Sequence, residues 1–276
     1  MPAICQSSLR DAPWMQPKTR RLPGIQPLDW SDWIQLDEAY APQMAERARL
    51  LEARRNEVLQ MTPAAEMAAK ELLGVICAML AGRDDFDVDG ARVARPDGVT
   101  VEIDPNDPLM SINRLISEDV CILQKRGGEH VLTAGLLCFP ASWLLHEKMN
   151  QPLTAIHQPV STYTTDVAAR VQRLFDAVRA DKPLWRANAL HYHDPDLFQP
   201  LPDTVKRVVP EGQGYIRSER QSILRLPKSD AIVFSIHTRL VAFGDLTPAQ
   251  RAGLRENPLE HALDVSALPA NVGADL

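Results

Sequence analysis

Apolar and polar positions change their period along the chain, and each period predicts a different kind of element. Met44, Leu50, Leu51, Val58 and Leu59 share one face of a helix built from good helix formers. Thr62-Pro63-Ala-Ala-Glu66 supplies a cap, a proline at the first helical position and an early acid. It predicts a second helix running to about Leu80, ahead of Gly82. Asp107-Pro108-Leu109 is expected to open a helical segment through Ile112, Leu115, Ile116, Val120, Cys121 and Leu123, with Glu118 and Asp119 in its middle. Residues 131–139 form a nearly continuous apolar run stopped by Pro140, the pattern of a doubly buried strand or a short buried helix. Ser142 is then placed to cap a short helix, and Thr165-Asp166 to cap a longer one carrying Val167, Val171, Leu174, Phe175 and Val178.

In the last third the period falls to two. Residues 184–193 read as a strand. In 215–226 the alternation puts Arg217, Glu219 and Gln221 on one face. A turn at 227–230 joins this segment to a long strand over 231–243, giving an antiparallel hairpin. Thr247-Pro248 starts a last short helix. The Asp- and Gly-rich stretch 82–106 predicts turns and small hairpin strands; it lacks the terminal glutamate of a calcium loop. The expected fold class is α+β, with helices gathered on one face of a mainly antiparallel sheet. Residues 1–27, with five prolines, are expected to form an extended or draped arm, 28–263 a single domain with a helical N-terminal part, and 264–276 a loose tail. Trp30 and Trp33 suit an anchoring turn after the arm.

Composition narrows the function. The 276 residues, 45% hydrophobic and 24% charged, suit a globular protein with a sizeable core. A formal net charge of -6 argues against a nucleic-acid or anionic-membrane binder. The longest apolar run in the first third, 72–81, is too short to span a bilayer, and the cytoplasm is the expected compartment. Cys5, Cys77, Cys121 and Cys138 are scattered without a CxxC pair, which predicts reduced thiols and no zinc or iron–sulfur site. Nucleotide-binding glycine loops, the GxSxG elbow and HExxH are absent from the sequence.

Among seven histidines, His130 and His261 sit in turn-like surroundings and His146 on a helix surface. His191 and His193 share a strand face that could hold a metal or simply be polar. His157 stands out. Gln158-Pro159 restricts the backbone beside it, and Leu153, Ile156, Pro159 and Val160 give it apolar company. A haem pocket needs one neutral imidazole, an apolar flank and cations for the propionates. Lys148, Arg217, Arg220 and Arg225 are candidate cations, and His237, also in apolar company, is the alternative iron ligand. The same features also suit a structural histidine in a proline-bounded loop.

Ordered blocks across the chain carry a resemblance. They include Pro27-Leu28-Asp29 with Trp33, Asp37-Glu38-Ala-Tyr40, Glu118-Asp119-Val-Cys-Ile-Leu-Gln124 and Cys138-Phe139-Pro140-Ala-Ser-Trp143. Pro152-Leu-Thr-Ala-Ile-His-Gln-Pro-Val160, Trp185-Arg186-Ala-Asn188, and Arg217-Ser-Glu-Arg-Gln221 with Leu224-Arg-Leu-Pro227 complete them. Over residues 25–245 the chain resembles the alpha subunit of the haem-dependent oxidative N-demethylases. The resemblance implies a PAS-like haem-binding domain carrying haem b. It further implies a monooxygenase that uses O2 to demethylate a small secondary amine such as dimethylamine, releasing formaldehyde. Electrons would come from a separate flavin and iron–sulfur reductase subunit. It points to His157 as axial ligand, Arg220, Arg225 and Lys148 as cofactor-binding cations, and Glu219 with Arg217 as catalytic residues, Glu219 being the amine partner. A haem-binding PAS-like sensor or carrier without turnover is the alternative. The sequence departs from the family pattern at Ser161-Thr162, where Pro-Gly is usual, and at Ala189, where tryptophan is usual.

Overall fold

The computed structural model describes residues 3–20, 24–156, 165–205 and 214–259. A short 3-10 turn at Pro13–Met15 is followed by α1 (Pro17–Arg20) and β1 (Gln26–Pro27). Next come α2 (Tyr40–Val58), β2 (Leu59–Met61) and α3 (Glu66–Leu80). The strands β3 (Asp87–Asp89), β4 (Arg92–Ala94) and β5 (Thr100–Glu102) make a small antiparallel sheet. The remaining elements are α4 (Pro108–Leu115), β6 (Asp119–Arg126), β7 (Glu129–Leu136), α5 (Leu145–Lys148), α6 (Leu153–Ile156) and α7 (Thr165–Ala177). They are followed by β8 (Leu184–Tyr192), β9 (Tyr215–Arg225), β10 (Ile232–Ala242) and α8 (Pro248–Glu256). The main sheet has seven antiparallel strands in the order β1-β8-β9-β10-β6-β7-β2.

The α+β class and the long hairpin are as the alternation predicts: β9 and β10 pair in register from Tyr215↔Ala242 to Arg225↔Ile232. Thr247 caps α8 through a reciprocal capping box with Gln250. The expectation that helices gather on one face is corrected. Strand side chains alternate between faces, and both faces of this sheet are apolar. Val120, Ile122, Ala134, Leu136, Leu224 and Val233 pack with α2, α3 and α4 on what we call the helical face. Cys121, Leu123, Leu132, Ile223 and Ile232 pack with Leu145 of α5, Leu153 of α6 and Leu174 and Phe175 of α7 on the crossover face.

Three local expectations change with it. The helix opened by Asp107 ends at Leu115, and Asp119–Arg126 is a central strand. Its Val-Cys-Ile-Leu run is buried on both sides, so no period separates it from a helix. Ser142 does not cap a helix: it has φ 65°, and its hydroxyl meets Tyr192 Oη at 2.9 Å. His130 is buried rather than solvated, and burial lowers its pKa. The described part of the N-terminal arm is docked on the sheet. Leu9 and Trp14 are buried against Ile216 and Val241, and Trp14 Nε1 donates to the Gln250 carbonyl at 2.9 Å. None of the helices among the described residues is long and apolar enough to cross a membrane.

Candidate functional site

Parity along β8, β9 and β10 decides which polar side chains meet. Residues directly opposite one another in antiparallel strands point to the same face. On the crossover face this gives successive rows: Leu184–Ile223–Phe234, then Arg186–Gln221–Ile236, then Asn188–Glu219–Thr238, then Leu190–Arg217–Leu240. The first row belongs to the apolar core under α7. The middle rows form a polar patch beyond that core.

Glu219 is the hub of the patch. One carboxylate oxygen accepts from Gln221 Nε2 at 3.1 Å and from Asn188 Nδ2 at 3.4 Å. The other lies 3.5 Å from Arg217 Nε. Arg217 is held from behind, donating to the carbonyls of Leu197 and Phe139, with its guanidinium 5.8 Å from the Tyr192 ring centroid. Four side-chain atoms here are buried without a hydrogen-bond partner among the described residues: Arg186 Nε, Asn188 Oδ1, Arg217 Nε and Thr238 Oγ1. Leaving one such group unsatisfied costs about 1–3 kcal/mol, which makes this cluster the candidate site. Burial pushes the Arg186 guanidinium down to about 10, and the charge of Glu219 only partly offsets that. Sequence reasoning gave no role to Arg186, Asn188 or Thr238. The spacing of two between Arg186 and Asn188 on a strand was the available signal.

The structure separates the other expected site residues from this patch. Arg220 has the opposite parity and lies on the helical face. There it bonds Asp32 at 2.8 Å and Asp11 at 3.3 Å, 3.8 Å over the Trp185 ring. Arg225 closes the C-terminal end of α7, donating to the carbonyls of Val178 (2.6 Å), Phe175 (2.8 Å) and Asp176 (3.2 Å), and to Asp230. Lys148 donates to the Ile156 carbonyl at 3.0 Å and pairs with Asp203 at 2.5 Å. All three cations have protein partners in this structure. His157 lies outside the described residues, as does His261. His191 and His193 have ring centroids 6.4 Å apart, and no third metal-binding side chain joins them among the described residues.

His237 is also on the helical face, opposite Arg220. Its Nδ1 meets Glu118 at 3.1 Å and its Nε2 meets Asp37 at 3.5 Å, so both ring nitrogens point at carboxylates. In this arrangement both ring nitrogens are engaged by protein groups. Burial alone would lower its pKa, but the hydrogen bonds to Asp37 and Glu118 outweigh this and raise it. Burial likewise opposes the Asp37 charge, yet His237, the Ala39 N–H and Arg239 hold Asp37 down at about 2. The imidazolium stabilises the fold fully below its unfolded pKa of about 6.5, and this contribution is lost as pH rises through the raised folded value. Asp37 contributes above its unfolded value of about 3.9 and loses that as pH falls toward 2. Denaturant melts should show stability declining on the alkaline side, and His237→Gln should flatten that limb. An unchanged alkaline slope in the variant would refute the coupling.

The fold is thus an antiparallel α+β sheet with a buried, partly unsatisfied polar patch beside the apolar core under α7. Residues 24–259 match the family described as haem-dependent oxidative N-demethylase, alpha subunit-like, and the chain belongs to that family.

Proposed function

We propose that the chain is the haem-binding subunit of a monooxygenase that removes a methyl group from a small secondary amine, with release of formaldehyde. The observation that carries this is the Glu219 patch: a buried carboxylate with acceptors Asn188 Oδ1 and Thr238 Oγ1 in the same row. A secondary ammonium ion has two N–H donors and one positive charge, and this row offers what it needs. Haem also suits the described residues. Arg186 is a cation that makes no hydrogen bond to a described residue, which suits a propionate, while the row Leu184–Ile223–Phe234 is packed under α7. The five long strands β6–β10 run across the sheet as second, first, fifth, fourth and third, with a helical crossover between β7 and β8, which supports a PAS-like reading.

When bound, haem b would supply oxygen activation, with electrons delivered by a separate flavin and iron–sulfur reductase subunit. The chain's own part is binding and orientation. Glu219 holds the ammonium; Arg217, fixed by two backbone carbonyls, positions Glu219. His157, outside the described residues, remains the proposed haem-iron ligand.

The absorption spectrum of the purified protein, before and after dithionite, is the direct test. A Soret band that shifts in His157→Ala, with formaldehyde formed from dimethylamine, O2 and an electron donor, is the expected result. A protein that neither contains nor takes up haem would refute the proposal. Haem without formaldehyde would favour a sensor or carrier.

A further inference from the structure

Charge on the crossover face does not balance. The patch carries two guanidinium groups, Arg186 and Arg217, and one carboxylate, Glu219. Arg217 pairs with Glu219 at 3.5 Å and donates to two backbone carbonyls, although its Nε has no hydrogen-bond partner among the described residues. Arg186 makes no hydrogen bond or ion pair among the described residues, and its Nε is buried. A guanidinium presents N–H donors in a planar fork that fits a carboxylate with two parallel bonds. Holding such a group beside the apolar core under α7 with no hydrogen-bond partner, its charge offset only in part by Glu219, is costly unless a ligand brings a second anion.

We propose that Arg186 is the carboxylate receptor of this site, taking the acid group of the ligand that lies across the Asn188–Glu219–Thr238 row. It sits one row from Glu219, so one ligand can bring an acid to Arg186 while a donor faces the Glu219 row. Two sources supply that chemistry. One is a propionate of the porphyrin; the other is a carboxylate on the amine substrate, which would make the substrate an N-methylated amino acid rather than a plain dialkylamine. The inference rests on the haem-subunit reading for its choice of ligands, but Arg186 can be tested apart from it.

The test uses the full chain and two matched pairs of probes. Iron-free protoporphyrin IX is compared with its dimethyl ester by fluorescence titration, and N-methylglycine with dimethylamine by calorimetry, in haem-loaded and haem-free protein. The wild type should prefer the free acid in at least one pair by about tenfold or more, and Arg186→Gln should abolish that preference while Arg186→Lys retains part of it. Preference in the porphyrin pair assigns the propionate; preference only in the amine pair assigns a substrate carboxylate. Equal binding within both pairs by the wild type would overturn the proposal, and this comparison stands even if Arg186→Gln fails to fold. A wild type that discriminates acid from ester but shows no Soret band with haem would sink the proposed function and leave Arg186 as a carboxylate receptor.

Discussion

Glu219→Gln should lower kcat/KM for the amine roughly a hundredfold while leaving the Soret band in place. The substitution keeps the shape of the side chain but removes the charge that faces the ammonium. A hydrogen bond to a charged group contributes up to about 3 kcal/mol, which converts to that factor. Gln221 and Asn188 both donate to one oxygen of Glu219, so a glutamine oxygen can keep those contacts, while the amide nitrogen would face Arg217 and a urea melt of the variant must accompany the assay. Steady-state formaldehyde release over a range of dimethylamine concentrations checks this. A kcat/KM within twofold of wild type would remove Glu219 from the site.

The second large effect is on stability. Arg47 of α2 and Asp119 of β6 are 0% and 1% exposed and lie 2.6 Å apart. Arg47 also donates to the Ser117 carbonyl at 3.1 Å, and its guanidinium stands 5.4 Å from the Phe139 ring centroid. Asp119 in turn accepts the N–H groups of Cys138 and Phe139 at 2.8 and 2.7 Å, fixing the chain as it leaves β7. Arg47→Met leaves a buried carboxylate without its counter-charge and should reduce unfolding free energy by about 3–5 kcal/mol. Urea melts of the single variants and of Arg47→Met/Asp119→Asn would show the two sites strongly coupled. A loss under about 1 kcal/mol would mean that water or another cation replaces Arg47.

These two predictions draw on residues of very different legibility. Arg217, Glu219 and Gln221 could be placed on one face because a strand alternates with period two, and no partner needs to be known for that. Arg220 fell to the same rule read in reverse: its parity alone sends it to the other face, although charge made it attractive as a cofactor cation. Arg225 has the right parity and still serves elsewhere, because the C-terminal end of α7 lies beside it, a contact 47 residues distant in sequence. Sequence spacing puts Glu118 and Asp119 in the middle of a helical segment. Their partners His237 and Arg47 are 119 and 72 residues away, and nothing local announces them. The family resemblance reached the Trp185-Arg186-Ala-Asn188 block, but only the strand register showed that Arg186 and Asn188 share the Glu219 face.

The docked N-terminal arm has a consequence for how the chain is made. Asp11 is the counter-charge of both Arg220 and Arg239, the Gln6 side chain accepts from the Leu240 N–H, and Trp14 reaches Gln250. These contacts join residues more than 200 positions apart. On a ribosome the arm emerges well before β9 and β10 and cannot seat until they have been synthesised. Its seating is therefore a late event whose loop-closure cost is met only once that hairpin exists. Until then Arg220 and Arg239 lack Asp11, and the nascent chain depends on the remaining carboxylates of the helical face to keep its last hairpin in place.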